Sequence, residues 1–156
     1  MNDNQVQSII LFFRLAFMNS TLAQKASQET HRAIENQLKK KMQQSFEVLF
    51  VRQTANTFHR LRMNLYKTKR RADTHLLEVP AMNLGPWRDF LRQTPDEEIL
   101  ALLWVHILQL PILAVAQGLS VTEGTVRHRL SRAVRILSGK LEPLEAQTVR
   151  AVRPWK

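Results

Sequence analysis

At 156 residues the chain has room for one domain or two small ones, and its 44% apolar content can build a core, which excludes a globally disordered protein. Only 4 Gly and 6 Pro among many Leu, Gln, Ala and Arg residues argue against an all-β fold and for an all-α one. The 23 Lys and Arg against 13 Asp and Glu give a formal net charge of +10. That excess draws polyanions, and counterion release makes nucleic acid the natural partner, ahead of an anionic membrane surface or the generic basicity of a ribosomal protein. Without cysteine there is no disulfide, thiolate–zinc site or thiol nucleophile, which fits a reducing cytoplasm.

The first apolar run, Ile9-Ile10-Leu11-Phe12-Phe13-Arg14-Leu15-Ala16-Phe17-Met18, is too short to span a bilayer and is broken by Arg14. Asp3, with no positive side chain before the run, argues against a signal peptide. The expectation is a helix facing the core or a partner, with Ile10, Phe13 and Phe17 available to a protein ligand. Helix is expected from about Val6 to Lys41, in one piece or two, with a break at Asn19-Ser20-Thr21. Ser20 or Thr21 would cap the part that carries Ala23, Ala26 and Ala33.

A second helix is expected over Phe46 to Arg71, from the spacing of Phe46, Leu49, Phe50, Phe58, Leu61 and Leu65. Between Val48 and Ala72 it carries Arg52, Arg60, Arg62, Lys67, Lys69, Arg70 and Arg71 and no acid. Residues from about Ala72 to Thr94 lack periodicity and hold Pro80, Asn83, Gly85 and Pro86, which reads as an interdomain linker. Trp87 and Phe90 would begin a short helix there or dock the linker on a neighbour. Thr94-Pro95-Asp96-Glu97-Glu98 then reads as a helix start, with Thr as cap, Pro in the first helical position and acids in the first turn.

Beyond Thr94, Ile99, Leu102, Leu103, Val105, His106 and Leu108 define one helix. Pro111 opens a short one, Ile112 to about Gln117, followed by a break at Gly118-Leu119-Ser120. Thr122 is placed to cap a last helix from Glu123, whose Val126, Leu130, Ala133, Val134 and Leu137 fall on one stripe at the helical period. His128, Ser131, Arg132 and Arg135 lie opposite that stripe, with Arg127 and Arg129 flanking it. A short helix, a tight turn and a longer basic helix are the parts of a helix-turn-helix. In that reading Glu123, Thr125, Arg127 and His128 lie near base edges, Arg129, Arg132 and Arg135 nearer phosphates, and Thr122 and Ser131 beside them. The competing reading is an ordinary surface helix with a solvated basic face.

The run from Leu110 to Ala133 resembles region four of bacterial sigma factors, especially the extracytoplasmic-function group. The resemblance rests on Glu123-Gly124-Thr125-Val126-Arg127 and Arg129-Leu130-Ser131-Arg132-Ala133, and covers about 45 residues. Ser120 stands where that family usually has the turn glycine, Pro111 where it has a small polar residue, and His128 where it has a serine. The family implies a region-two domain ahead of this one. Ala23-Gln24-Lys25-Ala26-Ser27-Gln28-Glu29-Thr30 resembles its polymerase-gripping helix, which implies polymerase binding by Gln24, Gln28 and Glu29. Phe50-Val51-Arg52-Gln53-Thr54-Ala55-Asn56 and the basic run after it resemble the helix that melts and reads the minus-ten element, which implies DNA binding by Arg52, Asn56 and Arg60. Lys39-Lys40-Lys41 would fall in the loop that captures a flipped base, against a plain solvated cluster as the alternative. This half diverges from the family: Gln24, Lys25 and Ser27 replace its usual acids, and its first helix is short.

The expectation is therefore an all-α protein of two small helical domains. These are a region-two-like domain over 1–75, a linker over 76–94 and a region-four-like helix-turn-helix over 95–156. The resemblance implies a cytoplasmic transcription initiation factor whose partners are promoter DNA and core RNA polymerase, and it admits an inhibitory anti-sigma protein. The alternative is a diverged sigma-like regulator that binds DNA or a protein without supporting initiation. No enzyme, cofactor, metal site or membrane span is expected: the five histidines are scattered, and no His-Glu-x-x-His or glycine-rich phosphate loop occurs. His59 and His106 read as packing or surface residues.

Overall fold

Side chains cap some of the helices, and those caps set where these helices begin. The computed structural model describes residues 1–40, 44–67 and 84–151, the side chains of 64–67 and 142–151 excepted. Helix α1 spans Asp3–Phe17. Asn2 Oδ1 accepts from Gln5 N at 2.9 Å while Gln5 Oε1 accepts from Asn2 N at 3.0 Å, a reciprocal capping box. The helix stops at Met18, which is left-handed with φ 51° and donates its N–H to Arg14 O. Helix α2, Ser20–Lys39, is capped by Asn19 and not by Ser20 or Thr21 as expected. Asn19 Oδ1 accepts from Leu22 N at 2.8 Å, so the residue that follows the left-handed turn takes the cap.

Helix α3 spans Phe46–Lys67, α4 Gly85–Gln93 and α5 Asp96–Leu102. Thr94 does not cap α5. Its N–H closes α4 on Phe90 O, its buried hydroxyl has no hydrogen-bond partner among the described residues, and Pro95 takes the cap position. Helix α5 runs on into a π-helical turn, Leu103–Ile107, closed by Leu108 N donating to Leu103 O at 2.9 Å. Helix α6 spans Ile112–Leu119 and α7 spans Glu123–Ala151. The regular elements of the described residues are all helical. No helix among them is long and apolar enough to cross a membrane. Of the expected linker, residues 76–83 lie outside the described residues and 85–93 form α4. Lys41, Lys69, Arg70 and Arg71 also lie outside them.

The first three helices pack as a layer. Thr30 on α2 donates its hydroxyl to that of Thr57 on α3 at 3.0 Å. Phe12 meets Phe50 edge-on, and Phe17 stacks on Phe58 at 5.4 Å. Phe13 is fully buried and Phe17 half-buried, so neither is offered to a partner as expected. Apart from the exposed Arg14 the run is apolar throughout, and α1 turns Ile9, Phe12, Phe13 and Ala16 inward, because α2 and α3 cover that side. Ile10 stays half-buried at the surface, and Leu11 is exposed.

Whether the two halves meet was open from the sequence; they share one buried cluster. Trp104, from the π-helical turn, stacks on Phe12 at 6.0 Å and 12°, and its Nε1–H donates to Thr54 Oγ1 at 3.1 Å. Trp87 on α4 donates to Leu15 O at 3.0 Å. Arg62 on α3 reaches across to Asp96 at 3.0 Å and to Leu91 O at 2.9 Å, with its guanidinium over the Phe58 ring. Helix α6 lies directly on α3. A Cβ built on Gly118 would stand 2.7 Å from both Val51 Cβ and Cγ1. Gly118 is therefore a helical residue required by close approach, and the helix continues through Leu119 where a break was expected.

Candidate nucleic-acid interface

The turn between α6 and α7 is built by the end of α6. Ser120 is left-handed at φ 57° and ψ 41°. Ser120 N donates to Gln117 O at 3.2 Å and Val121 N to Ala116 O at 3.0 Å. Those two bonds form a Schellman motif, and the partly buried Val121 supplies its usual apolar contact. Thr122 Oγ1 then accepts from Thr125 N at 3.2 Å, which starts α7 where the sequence places it. Thr122→Ala is expected to cost about 1 kcal/mol in a urea unfolding titration. An unchanged midpoint would mean that the hydroxyl does not cap α7.

Helix α7 buries Val126 and Ala133 completely and packs Leu130, Ile136 and Leu137 against the core. Val134, expected in that stripe, is 38% exposed, and Ile136 takes its place. Helix α4 also packs on α7, where Lys140 Nζ donates to Gln93 Oε1. The outward face is the one expected. Arg127, His128, Ser131, Arg132 and Arg135 are exposed, and Arg129 is half-buried. Thr122 is exposed, with Glu123 and Thr125 half-buried beside it. Arg127 pairs with Glu123 one turn earlier at 3.0 Å, so the first turn of α7 carries a guanidinium held in place. Arg132 reaches Glu98 on α5 at 3.2 Å.

The second group lies on α3. Arg52, Asn56 and Arg60 recur every four residues and so share one side of the helix. Arg52 donates to Gln44 Oε1 at 3.1 Å, and Asn56 is exposed. Arg60 forms an ion pair with Glu29 on α2. A residue expected at DNA and one expected at polymerase are thus joined to each other. Gln24 and Gln28 are exposed and line a cleft between α1 and α2 with Ile10, Arg14, Ser20, Ala23 and Ser27. Lys39 and Lys40 are exposed at the end of α2.

By sequence Glu98 is one of three equivalent acids in a helix start, and the structure sets it apart. It is buried with Ile99 and Leu102, while Glu97 is exposed. The available signal was its position one turn before Leu102, on the face that α5 turns to α7. Compared with known proteins, the chain matches no family model and no curated sequence.

Proposed function

We propose that this protein is a sigma-like transcription initiation factor that binds core RNA polymerase and recognises promoter DNA. The observation that carries the reading is the outward face of α7. A short helix and a tight turn lead into a long helix that presents Arg127, His128, Arg132 and Arg135 to solvent. As a helix-turn-helix, α6 would brace α7 in the major groove, with Glu123, Thr125, Arg127 and His128 at base edges. Arg129, Arg132 and Arg135 would then hold phosphates, with Thr122 and Ser131 beside them. Arg52, Asn56 and Arg60 on α3 would meet the minus-ten element, and Gln24, Gln28 and Glu29 the polymerase.

Arg127→Ala is expected to relax preference at one base position by about 1–3 kcal/mol, whereas Arg135→Ala weakens binding evenly across sequences. Binding titrations against a panel of single-base variants distinguish the two. Equal losses on every DNA would mean that α7 is not the reading helix.

The direct test is transcription in vitro from a fragmented genomic library, with core polymerase alone and with this protein added. Discrete start sites that need the protein would support the reading and supply the promoter motif. Silence from folded protein would leave the diverged regulator, which binds DNA or a protein without supporting initiation. The Arg60–Glu29 pair favours that second reading, because it engages a DNA residue and a polymerase residue with each other.

A further inference from the structure

Glu98 is a carboxylate where an apolar residue would pack. Its side chain is 6% exposed, and Oε2 is buried with no hydrogen-bond partner among the described residues. Its companion is Arg132 on α7, whose Nε stands 3.2 Å from Glu98 Oε1 while half of the Arg132 side chain is open to solvent. Two terms make an ionised carboxylate tolerable there. Glu98 is the third residue of α5, where the helix dipole favours negative charge, and the guanidinium lies beside it. Neither term makes the pair a strong source of stability, since well-packed apolar residues commonly do as well as a buried ion pair. What the pair supplies is orientation. A guanidinium has five N–H donors in a fixed plane, more than one carboxylate oxygen can accept. Anchoring it at Nε fixes that plane and leaves donors on the exposed side.

We propose that Glu98 is a positioning residue, buried under α7, that holds the Arg132 guanidinium in the orientation in which it takes one phosphate of bound DNA. This rests on the reading of α7 as a DNA-binding helix. It makes Arg132 a fixed phosphate contact and gives α5, which precedes the motif, a part in binding without touching DNA. It also gives two simple mechanisms opposite signs. If Glu98 only offsets charge, Glu98→Gln removes one negative charge, raises the net charge by one and tightens binding. If Glu98 positions Arg132, the same change weakens binding.

The test is the salt dependence of binding by the full chain to a fluorescent DNA duplex of arbitrary sequence, followed by anisotropy. Arg132→Gln is expected to reduce the slope of log K against log salt by about 0.9, the loss of one phosphate contact. Glu98→Gln is expected to reduce it by as much, and the double variant by no more than either. Arg132→Lys leaves the core untouched and the charge unchanged, and it serves where Glu98→Gln unfolds the protein. Lysine keeps the charge but lacks the planar fork that Glu98 orients, so affinity at fixed salt falls while the slope holds. An unchanged or steeper slope in Glu98→Gln, or undiminished affinity in Arg132→Lys, overturns the positioning role while leaving DNA binding in place. Wild-type protein that binds no duplex removes the reading beneath it as well.

Discussion

Replacing Trp104 with alanine is expected to cost about 3–5 kcal/mol, the range for deleting a large buried aromatic side chain. Few single side chains could be missed as much, because Trp104 serves both halves. It is fully buried, its ring stacks on Phe12 of α1, and its Nε1–H donates to Thr54 of α3. Thr54 in turn donates its hydroxyl to Phe50 O at 2.6 Å, so the indole is the partner that fills its accepting side. Alanine leaves a cavity and a buried acceptor without a donor. Small domains are stable by about 5–15 kcal/mol, so the loss takes a large share of the total. Urea unfolding followed by circular dichroism measures it. Trp104→Phe keeps a ring against Phe12 and gives up the hydrogen bond, worth about 1 kcal/mol, plus a smaller cavity. A Trp104→Ala protein within about 1 kcal/mol of wild type would mean that the stack contributes little to folding.

Gly118 gives the second large effect, with the opposite geometry. Alanine normally favours a helix over glycine by about 1 kcal/mol. Here its Cβ would meet Val51 Cβ and Cγ1 at 2.7 Å and Val48 O at 3.1 Å. None of those atoms is the free end of a flexible chain, and overpacking of this kind costs about 1–3 kcal/mol. Gly118→Ala is therefore expected to destabilise slightly, and Gly118→Leu by about 3 kcal/mol or more, because α6 must lift off α3. The check is a double-variant cycle with Val51→Gly, which removes both clashing carbons. Gly118→Ala should cost less in that background than in wild type. Equal costs in the two backgrounds would place the strain elsewhere.

Much of the helical layout was legible because it depends on local signals. The break after the first apolar run, the start of α3 at Phe46, the opening of α6 after Pro111 and the cap of α7 at Thr122 all follow from neighbours a few residues apart. The outward face of α7 was legible for the same reason, since His128, Arg132 and Arg135 recur on the side opposite an apolar stripe. What depends on distant elements was not. Apart from Arg14 the run from Ile9 to Met18 is apolar throughout, so its period does not say that Phe13 and Phe17 face inward. Residues 85–93 carry two turn-forming residues and little periodicity, yet they fold as α4 because Trp87 and Phe90 have a core to bury against. The sequence offers a short helix there only as one of two alternatives, beside a linker docked on a neighbour. Gly118 sits next to a real turn and was read as part of it, because nothing local reports a backbone lying against Val51. The pairing of Arg60 with Glu29 and of Arg132 with Glu98 joins residues more than thirty positions apart in sequence. Charge patterning within one helix cannot show such pairs.

The contact of Gly118 with Val51 bears on how this protein can change. Its halves are not modules that recombination could trade freely with those of a relative. A donor half with any side chain in place of Gly118 would meet a surface shaped to receive none, and a donor without Trp104 would leave Phe12 and Thr54 facing a void. Substitutions on the two sides of the seam must therefore arrive as compatible pairs. For the same reason heat should melt the two halves together, in one cooperative transition, where independently folded halves would give two.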